Sequence, residues 1–139
     1  MKKIFLIIIS VLVVISCTRK AAPFEIFSEE AFAYDLGNSW EINSQVRVKG
    51  FTQIEKDGVY SVAIYFTVDL VKPDGEKVLS IFDDEKSETK NEVIMDIPLE
   101  AQFEMDSTYS NGNYTLIFNV EDKNSDNRAS KEIKFELNR

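Results

Sequence analysis

The 139-residue chain carries 24 acidic and 16 basic residues, no histidine and one cysteine, for a formal charge of −8. The missing histidine removes the usual general base at neutral pH and the commonest ligand for zinc, copper or haem. An acidic surface is a poor match for nucleic acid, whose phosphates bind lysine and arginine, and a single cysteine leaves no internal disulfide, so stability must come from packing.

The first predicted element is a leader. Met1-Lys2-Lys3 precedes an apolar run from Ile4 to Ile15, the basic n-region and short h-region of a secretory signal. These 12 residues make a helix of ~18 Å. A bilayer core is ~30 Å thick, so a permanent span is not expected. The run ends at Val14-Ile15-Ser16-Cys17, which resembles the lipobox of bacterial lipoproteins. The resemblance implies that a diacylglycerol alkylates the Cys17 thiol, that residues 1–16 are removed as a signal peptide, and that the new N-terminus is acylated. Val14 stands where leucine is commoner in that pattern, and Ile15 is bulkier than the usual residue. The chemistry fits, because a thiolate is the one good nucleophile available for lipid transfer. Thr18 follows the cysteine in place of the aspartate of the inner-membrane retention signal, so the analogy implies an outer-membrane destination.

Residues 17–23 are expected to be the lipidated cysteine and a short polar tether, and 24–139 a single domain. With Lys2 and Lys3 lost in the leader, the remaining chain has a formal charge of −10, so the acyl anchor rather than the protein surface must hold the membrane. Alternation with a period of two dominates the domain. Tyr60, Val62, Ile64, Phe66, Val68 and Leu70 share one face, as do Tyr114, Leu116, Phe118 and Val120, and then Ile133, Phe135 and Leu137. Such strands have one wet and one dry side, the pattern of an antiparallel sheet. Turn signals fall at Lys56-Asp57-Gly58, Lys72-Pro73-Asp74-Gly75, Ser110-Asn111-Gly112-Asn113 and 123–127. About seven strands follow, at 24–35 (broken), 41–51, 59–71, 76–82, 92–104, 113–122 and 130–137, with 83–91 as a charged loop. The predicted fold is all-β, one antiparallel sandwich behind a cleaved signal helix.

Pro73-Asp74-Gly75-Glu76-Lys77-Val78, Pro98 to Phe103 and Gly112 to Asp122 resemble the second half of bacterial immunoglobulin-like or fibronectin type III-like modules. There a G-x-Y-x-L pattern opens the sixth strand and V-x-D leads into the last hairpin. The resemblance covers roughly residues 60–137 and implies a "tyrosine corner" at Tyr114, whose hydroxyl would bond nearby backbone. Trp40 is a candidate core aromatic, set near the second strand rather than on the third as in antibody-type domains. The resemblance implies a fold and no activity.

Four groups of residues are candidate sites. Asp122, Asn124 and Asp126 have the alternate-oxygen spacing of a calcium loop, but Asn127 and Ile133 replace the glycine and glutamate that such a loop needs, and Asx-rich hairpins arise from local hydrogen bonding alone. Asp83, Asp84, Glu85 and Glu88 are interleaved with Lys86 and Lys90, the pattern of a solvated loop. Asp69, Glu100 and Glu104 would serve glycoside hydrolysis only if two of them faced each other across a cleft. Tyr60, Tyr65, Phe51 and Phe103 would form a ligand platform if exposed. The reading is a non-catalytic, lipid-anchored envelope module without a cofactor, held to the membrane through Cys17 and binding an envelope protein. The alternative is a small-ligand binder for glycan, peptide or calcium through the loops after residues 82 and 122.

Overall fold

The computed structural model describes residues 22–139. The leader and Cys17 lie outside the described residues. Eight strands follow in order: β1 Glu25–Asp35, β2 Ser39–Lys49, β3 Ile54–Lys56, β4 Val59–Val71, β5 Lys77–Lys90, β6 Asp96–Asp106, β7 Gly112–Asp122 and β8 Arg128–Leu137. All pairings are antiparallel, and no helix occurs among the described residues. One sheet has the order β1-β2-β6. The other runs β5-β4-β7-β8, with the short β3 beside the start of β4 on the β7 side. Strand β1 lies against β8 at one margin, and β6 approaches β5 at the other.

The core is where the two dry faces meet. Trp40, Ile42, Val46 and Val48 of β2 and Ile97, Leu99 and Met105 of β6 are buried against Val62 to Leu70 of β4 and Leu116, Phe118 and Val120 of β7. Phe66 and Phe118 stack at 5.9 Å between ring centroids. Ser44 is the polar intruder in the β2 row, and its hydroxyl donates to the Ala101 carbonyl at 3.1 Å, so no donor is stranded there. Tyr114 is buried and its hydroxyl donates to the Ser110 carbonyl at 2.7 Å, which pins the 107–111 loop. Tyr114→Phe keeps the ring and loses that bond. The expected cost is about 1 kcal/mol in urea unfolding, and no change in the midpoint would show that the bond contributes nothing.

Two predicted boundaries are corrected. Residues 83–90 are not a loop: β5 continues through them, pairing Asp83 with Thr67 and Lys90 with Tyr60. Alternation of apolar residues reports burial, whereas β5 is an edge strand whose second half no opposing sheet covers, so its side chains are charged while its backbone pairs. Charge on an edge also discourages pairing with another chain. Residues 92–95 are not strand, because Gln53 bonds both the N–H and the carbonyl of Ile94, at 2.8 and 3.0 Å, and takes the place of a ladder partner. The eighth strand, β3, is three residues long, too short for alternation to reveal.

Both β1 and β5 are bulged. In β5, Leu79, Ser80 and Ile81 are inserted between Val78, which pairs with Leu70, and Phe82, which pairs with Val68. Ser80 takes a φ of 48°, and its N–H is held by the buried Asp69 carboxylate at 2.8 Å. In β1, Phe27 pairs with Arg47 and Glu30 with Gln45, so β1 takes three steps where β2 takes two. A one-residue excess exchanges the two faces of a strand, and that exchange builds the candidate site.

Candidate binding face on the outer side of the three-stranded sheet

Before the bulge, Ile26 points into the core. Continued alternation would send Glu30, Phe32 and Tyr34 inward as well. The extra residue, at Ser28 with φ 52°, reverses this: Ala31 and Ala33 pack against the core, while Phe32 and Tyr34 are each 54 % exposed. Cross-strand register places Phe32, Asn43 and Gln102 in one row. The row nearer the β1 C-terminus holds Tyr34, Glu41 and Glu104, and the row behind holds Glu30, Gln45 and Glu100. A shallow recess of about 210 Å³ lies over Glu30, Phe32, Asn43, Gln45, Glu100 and Gln102.

The face is ordered and acidic. Asn43 donates to Glu41 at 2.7 Å. At the edge of the patch the Asp35 carboxyl lies below its ordinary range, held there foremost by the Gly37 N–H at 2.8 Å and then by the Arg139 guanidinium at 3.0 Å, which together outweigh slight desolvation. Arg139 also lies over the Trp40 ring at 4.8 Å, so the C-terminal residue clasps this end of the sandwich. Towards the other end, Arg47 pairs with Asp96, and Lys49 pairs with Glu25 while covering the Phe27 ring. Four glutamates around two aromatics repel anions. Flat apolar rings beside amides and carboxylates suit a protein surface with neutral or basic groups, or a polyhydroxylated ligand.

The residues singled out from the sequence fall elsewhere. Asp122 is 3 % exposed, and its carboxylate accepts the N–H groups of Thr52 and Asn124 and the Ser125 hydroxyl. Asn124 turns its amide to the Thr52 carbonyl, and Asp126 is exposed, so the three do not converge. Among the described residues no group of three acidic or thiol side chains converges as a metal site. Asp83, Asp84, Glu85 and Glu88 are spread along both faces of β5, and Glu88 Oε2 lies 3.3 Å from Lys90 Nζ without hydrogen-bond alignment.

Asp69 faces outward from β4, whereas Glu100 and Glu104 face outward from β6 in the other sheet, so no carboxyl pair spans a cleft. Asp69 instead accepts from Asn119 at 3.0 Å and from Ser80. Phe51 is buried, Phe103 packs on the core, and Tyr60 and Tyr65 are half-buried. Tyr65 stands between Glu85 and Glu121 on a face that no third layer of described residues covers. Phe32 and Tyr34 were not among the sequence candidates. Ala-Phe-Ala-Tyr at 31–34 carries no signal of their exposure, because rings inward and alanines outward is the ordinary arrangement of such a strand.

No family model matches the chain, and no curated protein matches it. A solved structure, Northeast Structural Genomics Consortium target SoR45, is similar over 82 % of this chain and 83 % of its own, with 8 % sequence identity and a TM-score of 0.39, a likeness too loose to bear on function.

Proposed function

We propose that the chain is a lipid-anchored, non-catalytic module of the bacterial envelope, attached through Cys17 at the outer membrane, that binds an envelope protein with the outer face of β1-β2-β6. The observation that carries the binding half is the bulge-driven exposure of Phe32 and Tyr34. The described chain enters beside Glu25 and Lys49, and β1 then runs 11 residues, from Glu25 to Asp35. At ~3.3 Å per residue the aromatics stand ~20–30 Å from that proximal end, so an anchored domain would present them away from the membrane. Two aromatics centred among polar groups have the make-up of an interface hot spot with a polar rim. The order β1-β2-β6 facing β5-β4-β7-β8, together with the Tyr114–Ser110 bond, supports the resemblance to immunoglobulin-like and fibronectin type III-like modules. The absence of histidine supports a non-catalytic role.

A second reading, glycan binding, is favoured by Asn43 and Gln102 in the same row as Phe32, since aromatic faces stack on sugars while amides bond hydroxyls. One variant serves both. Phe32→Ala/Tyr34→Ala is expected to weaken capture of the envelope partner roughly 30-fold, with stability changed by less than about 0.5 kcal/mol because both rings are exposed. Leu79→Ala, on the β5 bulge, is the control. Capture unaffected by the double change would sink the assignment of the face, and soluble glycan competing for the wild-type surface would favour the second reading.

A further inference from the structure

The proximal end carries apolar groups that the fold holds outward. Ile94 is buried, and Gln53 clamps its backbone from both sides, at 2.8 and 3.0 Å. Extended backbone around an inward Ile94 turns both neighbours out: Val93 is 51 % exposed and Met95 75 %. Ile54, next to the clamping glutamine, is exposed at the same end. Val93 and Met95 share a recess of about 270 Å³ with Ala22, Gly50 and Phe51. Gly50, at φ 74°, leaves room for the incoming chain, since a Cβ there would overlap the Pro23 carbonyl. The point where the polypeptide leaves the domain is therefore fixed beside these side chains.

Chain length supplies the second argument. Cys17 precedes Ala22 by five residues, and at ~3.6 Å per residue their Cα atoms cannot be more than ~18 Å apart. The headgroup layer of one leaflet is itself ~6 Å deep. A domain on so short a lead cannot hold this end far from the lipid, and Arg19 and Lys20 within it favour anionic headgroups.

We infer that the proximal end seats on the bilayer surface, with Val93, Met95 and Ile54 entering the headgroup region and orienting the domain. The inference rests on the proposed lipidation of Cys17. Seating restrains rotation about the tether, so that the Phe32–Tyr34 face is held away from the lipid.

The test uses full-length protein, metabolically labelled with palmitate and reconstituted into vesicles of phosphatidylethanolamine and phosphatidylglycerol. Once Cys17 is a thioether, Met95→Cys supplies one free thiol for an environment-sensitive fluorophore, and Leu79→Cys, 69 % exposed on the β5 bulge, supplies the comparison. Interfacial side chains lie ~5–10 Å below the surface, so a quencher on shallow lipid should dim the label at 95 about two-fold and leave that at 79 unchanged. With palmitate incorporated, equal and negligible quenching at both positions would overturn the seating and leave the lipoprotein reading intact. Absence of palmitate would remove both. A label at 95 that is shielded from aqueous quencher yet untouched by lipid-borne quencher would mean that protein covers this end, which also overturns the inference.

Discussion

A Cys17→Ser chain is expected to incorporate no palmitate and to keep its leader. Serine is close in shape to cysteine but lacks the thiolate that attacks the diacylglycerol donor, and removal of residues 1–16 depends on that modification in the family that the Val14-Ile15-Ser16-Cys17 stretch resembles. The effect should be all-or-none. One myristoyl-length chain gives membrane association of only ~10⁴ M⁻¹, while two or three anchor a protein firmly. Fractionation alone is a poor readout, because a retained apolar leader could itself hold membranes. Palmitate label and N-terminal mass are cleaner. Label that survives the substitution would place the lipid elsewhere and end the lipoprotein reading.

Asp122→Ala is expected to be among the most damaging changes at a polar residue of the described domain. The carboxylate is buried and joins two segments 70 residues apart: the Thr52 N–H at 2.8 Å, and within its own hairpin the Ser125 hydroxyl at 2.8 Å and the Asn124 N–H at 3.0 Å. Lys123 N–H meets the Ala63 carbonyl beside it, so the β7–β8 hairpin, the start of β4 and the 50–53 loop are stapled at one point. Hydrogen bonds to charged groups contribute ~1.5–3 kcal/mol each, and stranded donors add to the loss. Since the three bonds are not additive, the net expectation is about 3 kcal/mol, or a fall in Tm of roughly 10 °C. Asp122→Asn, which keeps one acceptor, should lose about half as much. A change below about 0.5 kcal/mol would show that the carboxylate is not structural. Millimolar calcium should leave the wild-type Tm where it is, because these oxygens are already engaged by protein donors; a rise of several degrees would restore the calcium loop.

Much of the fold was legible in the residues. The runs Tyr60 to Leu70, Tyr114 to Val120 and Ile133 to Leu137 alternate cleanly because each strand they form has the core on one side and water on the other. Val59–Val71 was legible to the residue. Trp40, a candidate core aromatic, lies at the start of the buried β2 row, and Tyr114 makes the backbone bond that its motif implied. The second half of β5 was hidden because pairing there is a backbone event, and its side chains report only that no sheet covers them. Asp122 was visible as an Asx-rich hairpin, but its bond to Thr52 spans 70 residues, and local spacing says nothing of contacts at that range.

The candidate face shows where the two kinds of information part. Alternation, turn residues, the missing histidine and the lone Cys17 are local or compositional, and the sequence by itself determined an all-β domain and the expectation of an anchored, non-catalytic one. Which side of β1 carries Phe32 and Tyr34 is a matter of register against β2. One extra residue between Phe27 and Glu30 reverses it, and an isolated strand has no reason to prefer the bulge. The preference comes from the partner: Ala31 and Ala33 pack against the core on the inner side, while the aromatics outside leave the ladder with β2 intact. Only the assembled sandwich decides that two rings, which a strand read alone would bury, stand in water where a partner can reach them.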